Sequence, residues 1–357
     1  MAKITQTADF TGKTINVGMD VHLKSWNITL YNGQQYLRKF QQEANPATLV
    51  KHLGDHYPGA HFKLAYEAGF CGFWIQRALR DAGMECIVVN AADVPQTDKG
   101  SRMKNDVTDS YRIGEALSCG MLKPIFVPDR QTESDRTLIR YRHRLHSDLV
   151  RSKTRIKSFL NHFGIKLLAE FENSKWTIAL IKWLRNLELP HSSMCLTLGR
   201  MIDQVEHLQR QLLELSRDIR AMIRSEHYYN NAQLLMSVPG IGALTAISML
   251  TEIGSIERFS SFYKFNSFIG LCPTEFSSGE TERKGFITPR HHNQLRRLLV
   301  EMAWSAVRLD PAINLVYNEY KKRMTAKRAI IRIARKMLHR IYYVLIKQQA
   351  YVKGIVK

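Results

Sequence analysis

The spacing of apolar residues changes along the chain, and the changes divide it. Between Thr14 and Val89 the apolar positions fall in short runs: Thr14 to Asp20, Trp26 to Tyr31, Gln34 to Phe40, His61 to Tyr66 and Cys86 to Val89. Runs of this length and β-branched content predict strands. Asn32-Gly33, between the second and third, is a hairpin signal. Helical spacing intervenes over Pro46 to His56 and over Phe73 to Ala82, and resumes near Asp106 with Val107, Tyr111, Gly114 and Leu117. Three strands, helix, strand, helix, strand, helix predicts an α/β layer that opens with a meander.

Past Asp129 the pattern is helical throughout. Asp129 to Phe163 reads as one long helix with the stripe Leu138, Tyr141, Leu145, Leu149, Ser152, Ile156, Phe159. Trp176 to Leu187 is a shorter amphipathic segment. In Ser192 to Arg224 the positions Leu198, Met201, Val205, Leu208, Leu212, Leu215, Ile219 and Met222 alternate by three and four. That period predicts a coiled coil, within the chain or between subunits. Val238-Pro239-Gly240-Ile241-Gly242 separates two further helical runs and is similar to a helix-hairpin-helix turn, in which Gly240 and Gly242 let backbone N–H groups approach a phosphate. Phe259, Phe262, Phe265 and Phe268 read as core packing. The last helix, Ala326 to Tyr351, turns Ile330, Ala334, Met337, Ile341, Val344 and Leu345 inward. The domains expected are 1–128 (α/β), 129–228 (helical, coiled-coil) and 229–357 (mostly helical).

Charge narrows the partners. The 357 residues carry a net charge of +20, and from Lys321 to Lys357 there are twelve Lys and Arg and no Asp or Glu. Such an excess favours a polyanion. The residues expected to bind nucleic acid are Arg140, Arg144, Arg151 and Arg155 on the long helix, Arg283, Lys284, Arg296 and Arg297 after a polar loop, and Arg328, Arg332, Arg335 and Lys336 on the last helix, with the two glycines of the turn. No apolar run spans a bilayer, so no membrane partner is expected. Five scattered cysteines with no CxxC pair argue against zinc and disulfides and for a reduced, cytoplasmic compartment.

Four carboxylates stand at special points of this layout. Asp20 ends the first strand, Glu67 ends the fourth, and Asp106 and Asp109, three apart, open a helix and so share one of its faces. Strand ends and helix starts gather on one edge of such a sheet. Four carboxylates meeting there call for a hard cation, Mg²⁺ or Mn²⁺, and paired ions of this kind serve phosphodiester chemistry. Taken singly, Asp106 is equally an N-cap, Asp20 a turn residue and Glu67 a solvated strand end. The loop Thr274 to Glu280 has a small tip, Ser277-Ser278-Gly279, suited to an ordinary turn or to presenting a nucleophilic hydroxyl; His291 and His292 downstream are possible proton acceptors.

The layout is that of a ribonuclease-H-type fold. Gly18-Met19-Asp20, Tyr66-Glu67-Ala68 and Asn105-Asp106-Val107-Thr108-Asp109, followed by Pro239-Gly240-Ile241-Gly242, Gly270-Leu271-Cys272-Pro273, Ser278-Gly279 and Leu295-Arg296-Arg297, resemble in order the motifs of the DEDD-type insertion-sequence transposases, the bridge-RNA-guided recombinases. The resemblance covers nearly the whole chain. It implies a RuvC-like N-terminal domain with a tetrad at Asp20, Glu67, Asp106 and Asp109, and a catalytic serine at Ser278, with Ser277 immediately before it. It also implies donor and target DNA as substrates, an element-encoded guide RNA, a homo-oligomer (dimer or tetramer) in a bacterial or archaeal cell, nucleoid-associated when active, and no nucleotide cofactor. The alternative is a RuvC-like structure-selective endonuclease or resolvase that cleaves with metal-activated water. A non-catalytic nucleic-acid scaffold is the reading from another class. An actin-like sugar kinase fails, because Val21-His22 replaces the small residues that would cradle a phosphate.

Overall fold

The computed structural model describes residues 9–95, 106–172, 176–275 and 284–354; the side chains of 106–108, 172, 275, 284 and 286 are outside the description. The chain forms two compact units, Met1–Val127 and Pro128–Lys357.

The first unit is a five-stranded mixed sheet in the order β3-β2-β1-β4-β5, made of β1 (Thr14–Val21), β2 (Ser25–Asn32), β3 (Gln35–Glu43), β4 (His61–Glu67) and β5 (Glu85–Val89). The first three strands form the expected antiparallel meander, with Gly33 at φ +55° in its turn. β1, β4 and β5 run parallel. Helix α1 (Pro46–His56) starts where Asn45 accepts the Ala47 N–H and Pro46 occupies the first turn. With α2 (Trp74–Asp81) it covers one face, burying Ile15, Val17, Met19, Leu64 and Tyr66 against Leu49, Leu53, Ile75 and Leu79. Helix α3 (Asp106–Ser118) covers the other face, where Ala65, Val89, Val94 and Ile113 pack together. With both faces covered, β1 reads as an almost unbroken apolar run rather than an alternating one.

The second unit is built on two long helices, α4 (Arg130–His162) and α7 (Ser192–Met222). They pair antiparallel, as two shared cores show. Leu145, Leu149, Ile156 and Leu160 of α4 pack with Leu198, Ile202, Val205 and Leu208 of α7. Joining this core are α6 (Ile178–Arg185), through Leu180, Ile181 and Leu184, and Phe171 of the one-turn α5 (Ala169–Glu172). The other ends, Ile139 of α4 and Ile219 of α7, enter a larger core. It is made with α8 (Tyr229–Met236), α9 (Ala243–Ile253), α10 (Phe262–Ile269), α11 (Asn293–Leu309), α12 (Pro311–Lys321) and α13 (Ala326–Lys347). The change of core explains one departure from the predicted stripes: on α4, Ile139 is fully buried while Tyr141 is 45% exposed. On α7, Ile202 is buried and Met201 packs partly buried against the same core. The α7 stripe is therefore covered inside its own chain. Phe259 and Phe265 are buried in the larger core, and the inward face of α13 is as expected, although the helix stops at Lys347, with Gln348 at φ +52°. A two-stranded ribbon, β6 (Pro273–Glu275) and β7 (Lys284–Ile287), completes the unit. Among the described residues no helix is long and apolar enough to cross a membrane.

Candidate functional site

The carboxylate edge of the first unit follows from strand register. Met19 pairs with Tyr66 in the parallel β1–β4 ladder, so the next residues, Asp20, one short of the end of β1, and Glu67, the last of β4, come side by side. Side chains alternate along a strand. Gly18 contacts α3 and Ala65 packs with Ile113 of α3, so Asp20 and Glu67, two residues further on, lie on the α3 face. Helix α3 sits very close to this strand. A Cβ at Gly18 would lie 2.2 Å from the Ser110 carbonyl oxygen and 2.2 Å from the Gly114 nitrogen. The buried hydroxyls of Thr29 and Ser110 hydrogen-bond at 2.9 Å and fix the same crossing from β2. Asp109, one residue before Ser110, is thereby held near the end of β1.

Electrostatics agree with that placement. Burial pulls the Lys39 ammonium on β3 below its ordinary pKa, and the charges of Asp20 and Asp109 both act against this pull. One cation thus senses carboxylates from β1 and from α3. Asp20 accepts a hydrogen bond from His22 at 3.0 Å and a long one, 3.5 Å, from Asn27; Asp109 accepts one from Arg112 at 3.0 Å. Asp106 is the first residue of α3, but its side chain is outside the description. Among the described residues no three His, Cys, Asp or Glu side chains gather closely enough to hold a metal ion. The carboxylates at this edge supply oxygen donors, which suit Mg²⁺ or Mn²⁺ rather than softer ions, with the His22 imidazole beside Asp20.

Ser277, Ser278 and Arg283 fall in the connection between β6 and β7 and lie outside the described residues. Lys284 opens β7, its side chain undescribed. Beyond the ribbon, several residues expected to meet ligands are engaged within the fold. Arg296 donates to the carbonyls of Gly270, at 3.1 Å, and Thr288, at 2.8 Å. His292 caps α11: its Nδ1 accepts the Leu295 N–H, and its Nε2 therefore carries the proton donated to Glu252 at 3.1 Å. Both ring nitrogens of His292 are thus engaged within the fold. Gly240, at φ +87°, would place a Cβ 2.6 Å from the Met302 carbonyl, so its own packing on α11 already requires a glycine; Gly242 has open space around it. Arg155, Arg328, Arg332, Arg335 and Lys336 are exposed on α4 and α13.

Arg140, Arg144 and Arg151 of α4 and Arg297 of α11 come together, lining with His143, Ser147 and His291 an open groove of about 850 Å³. Its base holds a residue that the sequence reading missed. Glu252 on α9 has a side chain 1% exposed, and Arg140 grips it with Nε at 2.7 Å and Nη2 at 2.8 Å. Burial pushes this carboxyl up, but hydrogen bonds from His292 and Arg140 and the Arg140 charge outweigh it and hold the pKa at about 2. As the lone charge in Ala243–Ile253 it was conspicuous, a carboxylate in an apolar run of a strongly basic chain. His143 is pushed down to about 4 by burial and by the charges of Arg142 and Arg297.

A sheet of ribonuclease-H-like strand order, with carboxylates at the ends of its central parallel strands and at the start of the helix above them, defines a DEDD-type α/β unit. A family profile for DEDD transposases of the IS110 type, described as Transposase, matches residues 17–165, and one described as Transposase IS116/IS110/IS902 family matches 232–318. The protein y4qE of Sinorhizobium fredii, named as a transposase, is 28% identical over 245 residues, covering 69% of this chain and 58% of its own length. The transposase for insertion sequence element IS1533 of Leptospira borgpetersenii is 26% identical over 300 residues, 82% of this chain and 85% of that one. The transposase for insertion sequence element IS1328 of Yersinia enterocolitica is 29% identical over 204 residues, 56% and 58% respectively. The chain is thus similar, over parts of both of its units, to transposases of the IS110 and IS116 insertion-sequence type.

Proposed function

We propose that this chain is the DNA transposase of an insertion sequence, a recombinase that cuts and rejoins donor and target DNA. The observation that carries the reading is the placement of Asp20 and Glu67, each one residue beyond the last Met19–Tyr66 pair of β1 and β4, beneath a helix whose Ser110 and Gly114 rest on Gly18. Asp20, Glu67, Asp106 and Asp109 are the groups that would hold Mg²⁺ or Mn²⁺. When bound, such an ion neutralises charge that develops on a scissile phosphate. In this reading Ser278 is the nucleophile. Its Oγ forms a new bond to phosphorus, its proton leaves to a base, and the bond from phosphorus to one nucleotide oxygen breaks. The number of phosphodiester-type bonds is unchanged, so the strand can be rejoined without ATP.

The long α4 helix and α13 present arginines on an exposed surface, and the basic groove adds more; Gly242 leaves open space at the start of α9. Such a surface suits backbone recognition, with sequence read by an element-encoded guide RNA. The assembly expected is a dimer or tetramer; the apolar stripe of α7 is taken up by α4 of the same chain, so the contacts between subunits would lie elsewhere.

Denaturing electrophoresis of end-labelled DNA after quenching tests the serine step. The wild type should give a covalent protein–DNA species. Ser278→Ala should give neither adduct nor joined product, and Ser277→Ala should be much milder. Hydrolysed ends with no adduct in the wild type would move the function to a metal-dependent nuclease.

A further inference from the structure

Glu252 is more than a buried ion pair. A carboxylate inside an apolar helix is costly unless it is paired and fully hydrogen-bonded. Here it meets groups from two other elements: Arg136 and Arg140 of α4 and the α11 cap, His292. Arg136 is the structural partner, 12% exposed and donating also to the Thr251 carbonyl at 2.8 Å. Arg140 is different. Its side chain is 51% exposed and lines the groove, yet Nε and Nη2 are both fixed on the buried carboxylate, which leaves the Nη1 hydrogens for a ligand.

The groove around it suits one chemistry. Residues 140, 144, 147 and 151 lie on one side of α4 and extend for about 16 Å at 1.5 Å per residue, the length of a few nucleotides of one strand. Among the described residues no carboxylate lines the groove. Asp148 and Glu301 pair with Arg151 and Arg297, but these are exposed neighbours on the same helix, contacts of the weakest kind.

We propose that Glu252 is a positioning residue for nucleic-acid binding: it holds Arg140 and His292 as a preset wall of a groove that takes the phosphate backbone of one strand. The proposal rests on the reading of this chain as a nucleic-acid-processing enzyme. A guanidinium already immobilised by a buried partner loses little freedom when a phosphate arrives. The fixed fork also aims its remaining donors, which a mobile arginine does not.

The test uses the full chain, a short mixed-sequence single-stranded DNA and an RNA of the same sequence, with fluorescence anisotropy at several KCl concentrations. Arg140→Ala should lower the slope of log K against log salt by about 0.7, one phosphate contact on a single strand. Glu252→Gln sets two ideas against each other. Coulomb attraction alone predicts tighter binding of a polyanion once the negative charge is gone. Positioning predicts binding weaker by about fivefold, the size expected from freeing one side chain, and no such loss when Arg140 is already Ala. Should Glu252→Gln fail to fold, Glu252→Asp, which keeps the charge but draws the carboxylate back, replaces it with the same expectation. Equal effects on both probes assign the groove to the backbone phosphates themselves, and an effect confined to one assigns it to that strand type. Unchanged or tighter binding by a folded Glu252 variant, or the same loss in the Arg140→Ala background, overturns the proposal. An Arg140→Ala protein with wild-type affinity and slope also overturns it, while leaving the transposase reading intact. If the wild type binds neither probe, that reading falls and takes this one with it.

Discussion

Gly18→Ala is the substitution that asks most of the carboxylate edge. The added carbon would lie 2.2 Å from the Ser110 oxygen and the Gly114 nitrogen and 2.6 Å from the Gly114 Cα. All three are helix backbone atoms that no side-chain rotation can move. Relief to an ordinary contact of about 3.5 Å requires α3 to withdraw from β1 by more than about 1 Å. Overpacking of this kind costs about 1–3 kcal/mol. The 2.9 Å bond between Thr29 and Ser110, both fully buried, would be stretched as well, adding about 1 kcal/mol. The expected total is roughly 2–4 kcal/mol, less a few tenths gained by restricting the unfolded chain. Because the chain has two units, hydrogen exchange followed by mass spectrometry is the right assay, with local protection read on β1 and α3 peptides. Protection there should fall by that amount while α11 to α13 keep theirs. Metal-dependent DNA cleavage should fall further than stability does, since a displacement of about 1 Å can remove on the order of 100-fold in rate. Wild-type protection and wild-type cleavage in Gly18→Ala would mean that the helix does not rest on this strand, and the geometry argued for Asp109 would be wrong.

Other consequences are more local. The Glu252 carboxyl is held at about 2 against an ordinary 4.5, so it stabilises the fold above about pH 4.5 and that contribution disappears as pH falls through 2. The shift corresponds to about 3 kcal/mol, and the decline in thermal stability across this window should be shallower in Glu252→Gln than in the wild type by about that amount. His143, held at about 4 in the fold against 6.5, takes up its proton more readily when unfolded, so stability should drop between pH 6.5 and 4 and the drop should be smaller in His143→Gln. Gly240→Ala meets a left-handed φ of +87° and a Met302 carbonyl 2.6 Å away, and should destabilise the second unit by about 2 kcal/mol or more in urea unfolding. An unchanged midpoint would refute the close α8–α11 packing.

Much of the first unit could be read from local chemistry. Asn45 and Pro46 mark the start of α1, Asn32-Gly33 marks the hairpin, and Asp20 and Glu67 stand at strand ends because polar residues interrupt buried runs there. What could not be read was the close approach of α3 to Gly18, since a glycine in a strand shows no sign of which face is crowded. The long helices mislead for a different reason. A stripe drawn with one period fails where α4 passes from one core into another, and Tyr141 is left outside. Arg296 and His292 illustrate a third limit. A cation or imidazole in a basic stretch looks available for a ligand, whether its partner is a phosphate, a carbonyl or, as for His292, a glutamate forty residues away on another helix. The fold alone distinguishes these.

The central claim is that the carboxylates of β1, β4 and α3 support metal-dependent cutting of DNA. Single-turnover cleavage of a labelled duplex carrying the element's end, with and without the noncoding RNA proposed as its guide, tests it most directly. It should be run in Mg²⁺ and in excess chelator, with wild type and Asp20→Ala, and with duplex binding measured in parallel. The account predicts cleavage by the wild type in Mg²⁺ alone, and none by Asp20→Ala at undiminished duplex affinity. Cleavage that survives chelation, or an Asp20→Ala protein that cuts at the wild-type rate, would contradict it.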